Sequence, residues 1–209
     1  MNQLSLPEEF VLLLHRPEGS YYASDHTGAA ELGELVLNRQ VELTNKKVAP
    51  LATAPTGLAW ADDALAWLHR KGKPVQAATF IQSRTNARRR HADALVARGL
   101  MYCEQKKFLF IPYQKYFPEL STRNLLVGRI RAAARNEVPL DERLALLCAL
   151  TQATGLAPKL GLDSAERARL KQISKGEQVG EAVSDVIAAT MTVIVVAGAA
   201  AAAGGAAGS

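Results

Sequence analysis

Apolar positions in this chain recur mostly at helical spacing, with two short alternating interruptions. The stretch "LSLPEEFVLLL" sets Pro7, Glu8 and Glu9 ahead of an apolar run. That is how a helix begins, with proline in the first turn and acids near the positive end of the dipole. The segment "TGAAELGELVLNRQVEL" puts Ala29, Leu32, Leu35 and Val36 on one helical face. It passes into "QVELTNKKVAPL", whose alternation predicts a hairpin built on Asn45. After the turn "APTG", Asp62 and Asp63 open a helix through "ADDALAWLHRKG", with Leu65 and Leu68 on one face and Trp67 beside them. Helix-dipole complementarity accounts for that carboxylate pair better than acid–base chemistry does.

Pro74 suits the first position of a helix and Gly99 its C-terminal stop, so "KPVQAATFIQSRTNARRRHADALVARG" predicts one helix of about 24 residues. Beyond it, "LMYCEQKKFLFIPY" alternates across a polar centre at Glu104–Lys107, which predicts a β-hairpin followed by an irregular loop, "KYFPELSTRN". Three amphipathic helices come next, over "NLLVGRIRAAARN", "LDERLALLCALTQATGL" and "SAERARLKQISKG"; the second opens at Asp141 and ends near Gly155. From Val186 to Ser209 there is no charge. The strongly apolar part, Val186 to Val196, would rise only about 16 Å as a helix, against a hydrocarbon core about 30 Å thick. A core helix buried on all sides is therefore expected, in a domain over residues 1–197, with a flexible Ala/Gly-rich tail over 198–209 and a tail anchor as the alternative.

Composition narrows the class. A chain of 209 residues with 48% hydrophobic and 22% charged residues suits one folded domain. Cys103 and Cys148 stand far apart without ligand-like neighbours, so no disulfide framework and no metal are expected, and they fit small core positions in a reducing compartment. The N-terminal stretch makes a poor secretory signal, which points to the cytoplasm. The net charge is +5, but Arg84 to Arg135 holds 12 Lys and Arg against 3 Asp and Glu, leaving 13 bases against 17 acids elsewhere. Such a local excess draws polyanions: nucleic acid, an anionic membrane or an acidic protein. No phosphate-binding glycine loop, nucleophile elbow or metal-binding histidine pair is present, and His15, His26, His69 and His91 fall in separate elements. Neither an enzyme nor a cofactor is expected.

On a helix, Ala77, Phe80, Ala87, His91, Ala94 and Leu95 form a stripe with Arg84 and Arg88 within or beside it. As an i,i+4 pair these two could converge on one phosphate; the competing reading is an internal salt bridge, for example to Asp62 or Glu31. Arg90 lies on the other flank, and Arg89 points to solvent. In the loop, Tyr116, Phe117 and Leu120 lie between Lys115 and Arg123, a composition suited to a membrane interface.

In their order and spacing, "LSLPEEFVLLL", "GELVLNRQVEL", "APTG" with "DDALAWL", "TNARRRHADALVARGLMY", "KKFLF" and "DERLALLCAL" resemble the Golgi phosphoprotein family. The lack of an acidic leader makes the chain look like a bacterial-type member. The resemblance implies a mainly α single domain, with a buried C-terminal helix surrounded by amphipathic helices and short β-hairpins. It also implies a peripheral membrane adaptor that binds a phosphatidylinositol 4-phosphate-like headgroup and dips a hydrophobic hairpin into the leaflet. The family's pocket uses a Trp and an Arg from the N-terminal region and two helix arginines. Aligned here, the helix pair falls at Arg88 and Thr85, beside Arg84, the N-terminal Arg falls at Gly28, and Tyr21 and Tyr22 are the nearest aromatics. The hairpin falls on "YQKYFPELSTRN".

The expectation is then a lipid-phosphate site of Arg84, Arg88, Tyr22 and Arg90. The inserting residues would be Tyr116, Phe117 and Leu120, with diffuse attraction from Lys106, Lys107, Lys115 and Arg123. Expected partners are anionic lipids, cytoplasmic tails of membrane proteins and a second copy through the hairpin, at a cytoplasmic, peripherally membrane-associated location. The alternative is a winged-helix nucleic-acid binder using the same helix and hairpin, and a third reading is a scaffold for an acidic protein tail.

Overall fold

The computed structural model describes residues 3–22, 25–51, 54–176, 180, 182–190 and 192. Helix α1 (Leu6–Leu14) starts at Ser5, whose N–H donates to the Glu8 carboxylate at 2.8 Å, and carries Pro7 in its first turn. All nine of its residues are buried, so this short helix is the axle of the molecule. Helix α2 (Thr27–Leu37) packs along it, close enough that a Cβ on Gly33 would stand 2.9 Å from Leu6 and 3.3 Å from Leu146. Any side chain there would have to push the Leu6 methyl aside, so glycine lets the two helices cross closely.

Strands β1 (Val41–Thr44) and β2 (Lys47–Pro50) form the expected hairpin, turning at Asn45 and Lys46, both with positive φ. Helix α3 (Ala59–Lys71) follows and stops at Gly72. Asp62 caps the preceding turn by accepting the Thr56 N–H at 2.7 Å, whereas Asp63 serves a buried cluster described below.

The long helix expected from Pro74 to Gly99 is broken. Pro74 precedes a two-residue strand, β3 (Val75–Gln76), which pairs antiparallel with β2. Helix α4 (Ala77–Ser83) ends at Arg84, and α5 (Ala87–Ala97) restarts from Asn86. Short polar side chains drive the break: the Ser83 hydroxyl turns back to the Phe80 carbonyl at 2.7 Å, and Thr85 and Asn86 favour non-helical backbone. Gly99 ends α5 as expected, with positive φ.

Strands β4 (Met101–Phe108) and β5 (Ile111–Pro118) make an eight-residue ribbon. Its turn lies at Leu109 and Phe110, not at Glu104–Lys107, and the segment expected as a loop is the second strand and the start of α6 (Leu120–Ala134). Helix α7 (Glu142–Ala153) opens at Asp141, and α8 (Ser164–Ile173) opens at Asp163 with a reciprocal Asp163–Glu166 capping box. Residues 182–190 are helical; Val183, Val186, Ile187 and Ala189 enter the core while Ala182 and Ala188 are exposed. Most of the remaining apolar run, and the stretch 198–209 expected as a tail, lie outside the described residues. The architecture is mainly α, one domain with two small antiparallel sheets.

Two buried ionisable groups sit on or just after α1. Burial pushes the Glu9 carboxyl up to about 7 despite Arg143 and Arg129 nearby, and burial pushes the His15 imidazole down to about 4. Glu9 favours the fold when protonated, a contribution present below about pH 4.5 and lost as pH rises through 7. His15 favours the fold when neutral, a contribution present above about 6.5 and lost as pH falls through 4; His26 acts in the same sense. Between pH 4.5 and 6.5 they oppose each other. Glu9→Gln should leave the histidine contribution exposed, so that stability climbs more steeply with pH than in the parent, by up to about 3 kcal/mol across that window. Urea denaturation at a series of pH values measures the difference.

Candidate functional site

The arginine-rich stretch separates into an inward and an outward part. Arg84, at the break between α4 and α5, turns into the core: its Nε donates to Glu31 Oε2 at 2.6 Å, Nη1 to Asp63 at 3.1 Å, and Nη2 to the Trp60 carbonyl at 3.3 Å. Glu31, fully buried on α2, also meets His91 Nε2 at 2.9 Å and Arg90 Nη2 at 3.4 Å. Arg84 is thus a structural ion pair with Nε and one N–H of each Nη committed, and the expected convergence with Arg88 on one phosphate does not form. The internal partner is Glu31, as the competing reading had it, with Asp63 in place of Asp62. Arg90 completes the same cluster through Asp63 at 3.1 Å.

Arg88 points the other way. Its Nε donates to Asp25 at 3.1 Å and its guanidinium lies 3.6 Å over the ring of Tyr21, which is 47% exposed. Cation–π stacking and the carboxylate together hold this side chain near the surface. Tyr22, the aromatic expected here, is buried elsewhere, its hydroxyl donating to the Lys159 carbonyl. Arg89 is exposed, 3.9 Å from Asp93. Asp25, the partner of Arg88, also lines a small cavity of about 240 Å³ together with His26, Gly28, Gln82, Arg84 and Thr85 among others.

The ribbon carries the larger surprise. Its tip exposes Leu109, Phe110 and Ile111 at 75%, 97% and 68%. Of the residues expected to insert, Tyr116 is buried at the root with its hydroxyl donating to Asp93 at 2.6 Å, Phe117 is half-buried beside Gly19, and Leu120 opens α6, about half exposed. The reason is register. Tyr116 lies opposite Cys103 at the root, whereas Ile111 pairs with Phe108 next to the turn. Lys107 is exposed, Lys106 is half-buried and held by Glu104 at 2.6 Å, and Lys115 stands opposite Glu104. Arg123 is buried and therefore no part of a diffuse surface charge. The signal in the sequence was the bracketing of "FLFI" by Lys106, Lys107 and Pro112, an apolar run too short for a core strand.

The family model described as Golgi phosphoprotein 3 (GPP34) matches residues 6–190. The chain belongs to the Golgi phosphoprotein 3 family. A comparison with curated proteins returns no match. Among the described residues no helix is long and apolar enough to cross a membrane.

Gly28, on which the resemblance puts the N-terminal pocket arginine, has no room for a side chain. A Cβ on Gly28 would stand 2.6 Å from the Ile81 carbonyl and 2.9 Å from Arg84 Cβ. Thr85 lies in the break between α4 and α5, and Arg88 stands near the surface.

The two arginine roles differ in their expected thermodynamics. Arg84→Met should lower unfolding free energy by about 3 kcal/mol or more, because Glu31 loses its shortest partner in a buried site. Adding Glu31→Leu should recover part of that loss. Arg89→Ala should change stability by less than about 0.5 kcal/mol. Denaturant titrations of the four proteins provide the check.

Proposed function

We propose that this protein is a non-enzymatic peripheral membrane adaptor that docks by burying the tip of the β4–β5 ribbon in an anionic leaflet. The observation that carries the reading is the tip itself. Leu109 and Phe110 hold φ of 46° and 73°, a two-residue turn that ordinarily selects Asn-Gly. Left-handed backbone costs a bulky L-residue about 1 kcal/mol or more, and these side chains gain no burial in return. A strained, solvated apolar tip makes sense as a surface meant for another phase.

The ribbon is graded to match a membrane interface. Lys106 pairs in register with Tyr113, two residues back from Ile111, about 7 Å along the strand. Burying the three tip side chains would contribute roughly 5–9 kcal/mol before the cost of immobilisation. Lys106, Lys107 and Tyr113 would then lie at headgroup depth, each base adding about 1 kcal/mol on an anionic surface. Arg88, stacked on Tyr21 near the ribbon's root, would meet a phosphatidylinositol 4-phosphate-like headgroup only with the ribbon lying along the leaflet. Family membership supports the adaptor role, with cytoplasmic tails of membrane proteins as its cargo class.

The winged-helix alternative draws on the order α4, turn, α5, ribbon. It has less support, because each arginine of α5 already faces a carboxylate: Asp25, Asp93, or Asp63 with Glu31.

Replacing the turn by its preferred residues separates folding from docking. Leu109→Asn with Phe110→Gly should leave the melting temperature unchanged or raised, yet weaken co-sedimentation with anionic vesicles at least tenfold. Undiminished vesicle binding by that variant, or equal binding of the parent to neutral and anionic vesicles, would overturn the reading.

A further inference from the structure

Arg123, in the first turns of α6, breaks the pattern of the other buried arginine. It is only 8% exposed, and its Nε donates to the His15 carbonyl at 3.0 Å. Among the described residues no carboxylate lies within 4 Å of it and its guanidinium has no second acceptor. A largely buried guanidinium is costly to hold unless something supplies the opposite charge.

Its surroundings add positive charge. Arg16, one residue beyond His15, places its guanidinium 4.4 Å over the Tyr22 ring, with a buried Nε that has no partner. Lys159 brings its Nζ to 5.0 Å from the same ring, and its carbonyl accepts the Tyr22 hydroxyl at 3.3 Å. Against these three bases stands Glu18, largely exposed and 3.6 Å from Arg16. The corner therefore carries a local excess of about two positive charges.

We infer that Arg123, held on the His15 carbonyl beside Arg16, forms with Arg16 and Lys159, both over the Tyr22 ring, an anion site that takes a phosphate group. A guanidinium fork matches two phosphate oxygens, and a lysine supplies a mobile point charge to a third. A phosphate monoester or inorganic phosphate near pH 7 carries about −1.5 to −2, which balances the excess, whereas a carboxylate would leave it half neutralised. The site is separate from Arg88 and does not depend on insertion of the ribbon. It adjoins the ribbon's root, where the Tyr116 ring lies 5.9 Å from His15. Strands of eight residues span about 26 Å, so a lipid phosphate would reach it only with the ribbon lying along the membrane; free phosphate carries no such condition.

The test is titration of the full chain with inorganic phosphate at constant ionic strength, chloride being the balancing anion, read by thermal unfolding and by the Arg Nε–H resonances. Phosphate should raise the melting temperature and shift the Arg123 and Arg16 resonances. Arg123→Gln should weaken the phosphate response at least tenfold and, without phosphate, be no less stable than the parent. Arg16→Gln and Lys159→Gln, which leave Arg123's bond to His15 intact, should each weaken the response several-fold if Arg123→Gln does not fold. No response in the parent, or a response undiminished in these variants, would overturn the site.

Vesicles of phosphatidylcholine with phosphatidic acid then identify the source, given a positive titration. Competition by free phosphate for vesicle binding assigns the site to a lipid monoester, and vesicle binding indifferent to phosphate assigns it to a soluble one.

Discussion

A single buried carboxylate organises the half of the molecule that faces α5. Glu31, without solvent access, receives Arg84 at 2.6 Å, His91 at 2.9 Å and Arg90 at 3.4 Å. Arg84 also reaches Asp63 and the Trp60 carbonyl, so α2, α3 and the α4–α5 junction are tied at one point. The break in helical geometry between residues 83 and 87, driven by Ser83, Thr85 and Asn86, lets the Arg84 guanidinium reach Glu31. That departure sets the direction of α5, hence which arginines face water and where Gly99 launches the ribbon.

The same arrangement recurs around α1. Acids on the inner helices α1 and α2 accept arginines from the outer ones. Glu8 meets Arg98, Glu9 meets Arg129, and Glu34 meets Arg143. Much of the basicity between Arg84 and Arg135 is therefore internal counter-charge rather than a polyanion-attracting surface. Arg123 stands out against this rule as a buried outer arginine with no acid beneath it among the described residues.

With the arginines largely accounted for, the ribbon becomes the most conspicuous exposed feature. Its root is fixed by Met101, Tyr116 and Pro118 in the core, and its tip presents Leu109, Phe110 and Ile111 to solvent. A rigid root with an apolar, strained tip concentrates the available docking energy at one end of the molecule. A general positive field would spread it and be screened by salt within about 10 Å.

Elements whose signals act within a few residues were legible from the chain alone. Pro7 with Glu8 opened α1, Asn45 turned the first hairpin, Asp141 capped α7 and Gly99 closed α5, because capping and turn chemistry are local. The ribbon was legible as a hairpin but misplaced by register, since polar residues at Glu104–Lys107 mimic a turn while the true turn holds residues that ordinarily avoid one. For Arg84 the chain offered two readings, a phosphate reader or an internal salt bridge to a residue such as Glu31, and could not choose: helical periodicity assumes an unbroken helix, and Glu31 lies 53 residues away. The sequence by itself determined a mainly α domain, several of its helix starts and stops, and its family. Only the tertiary structure decided which charges are counter-ions and which apolar residues are left in water, because both depend on what other segments place opposite them.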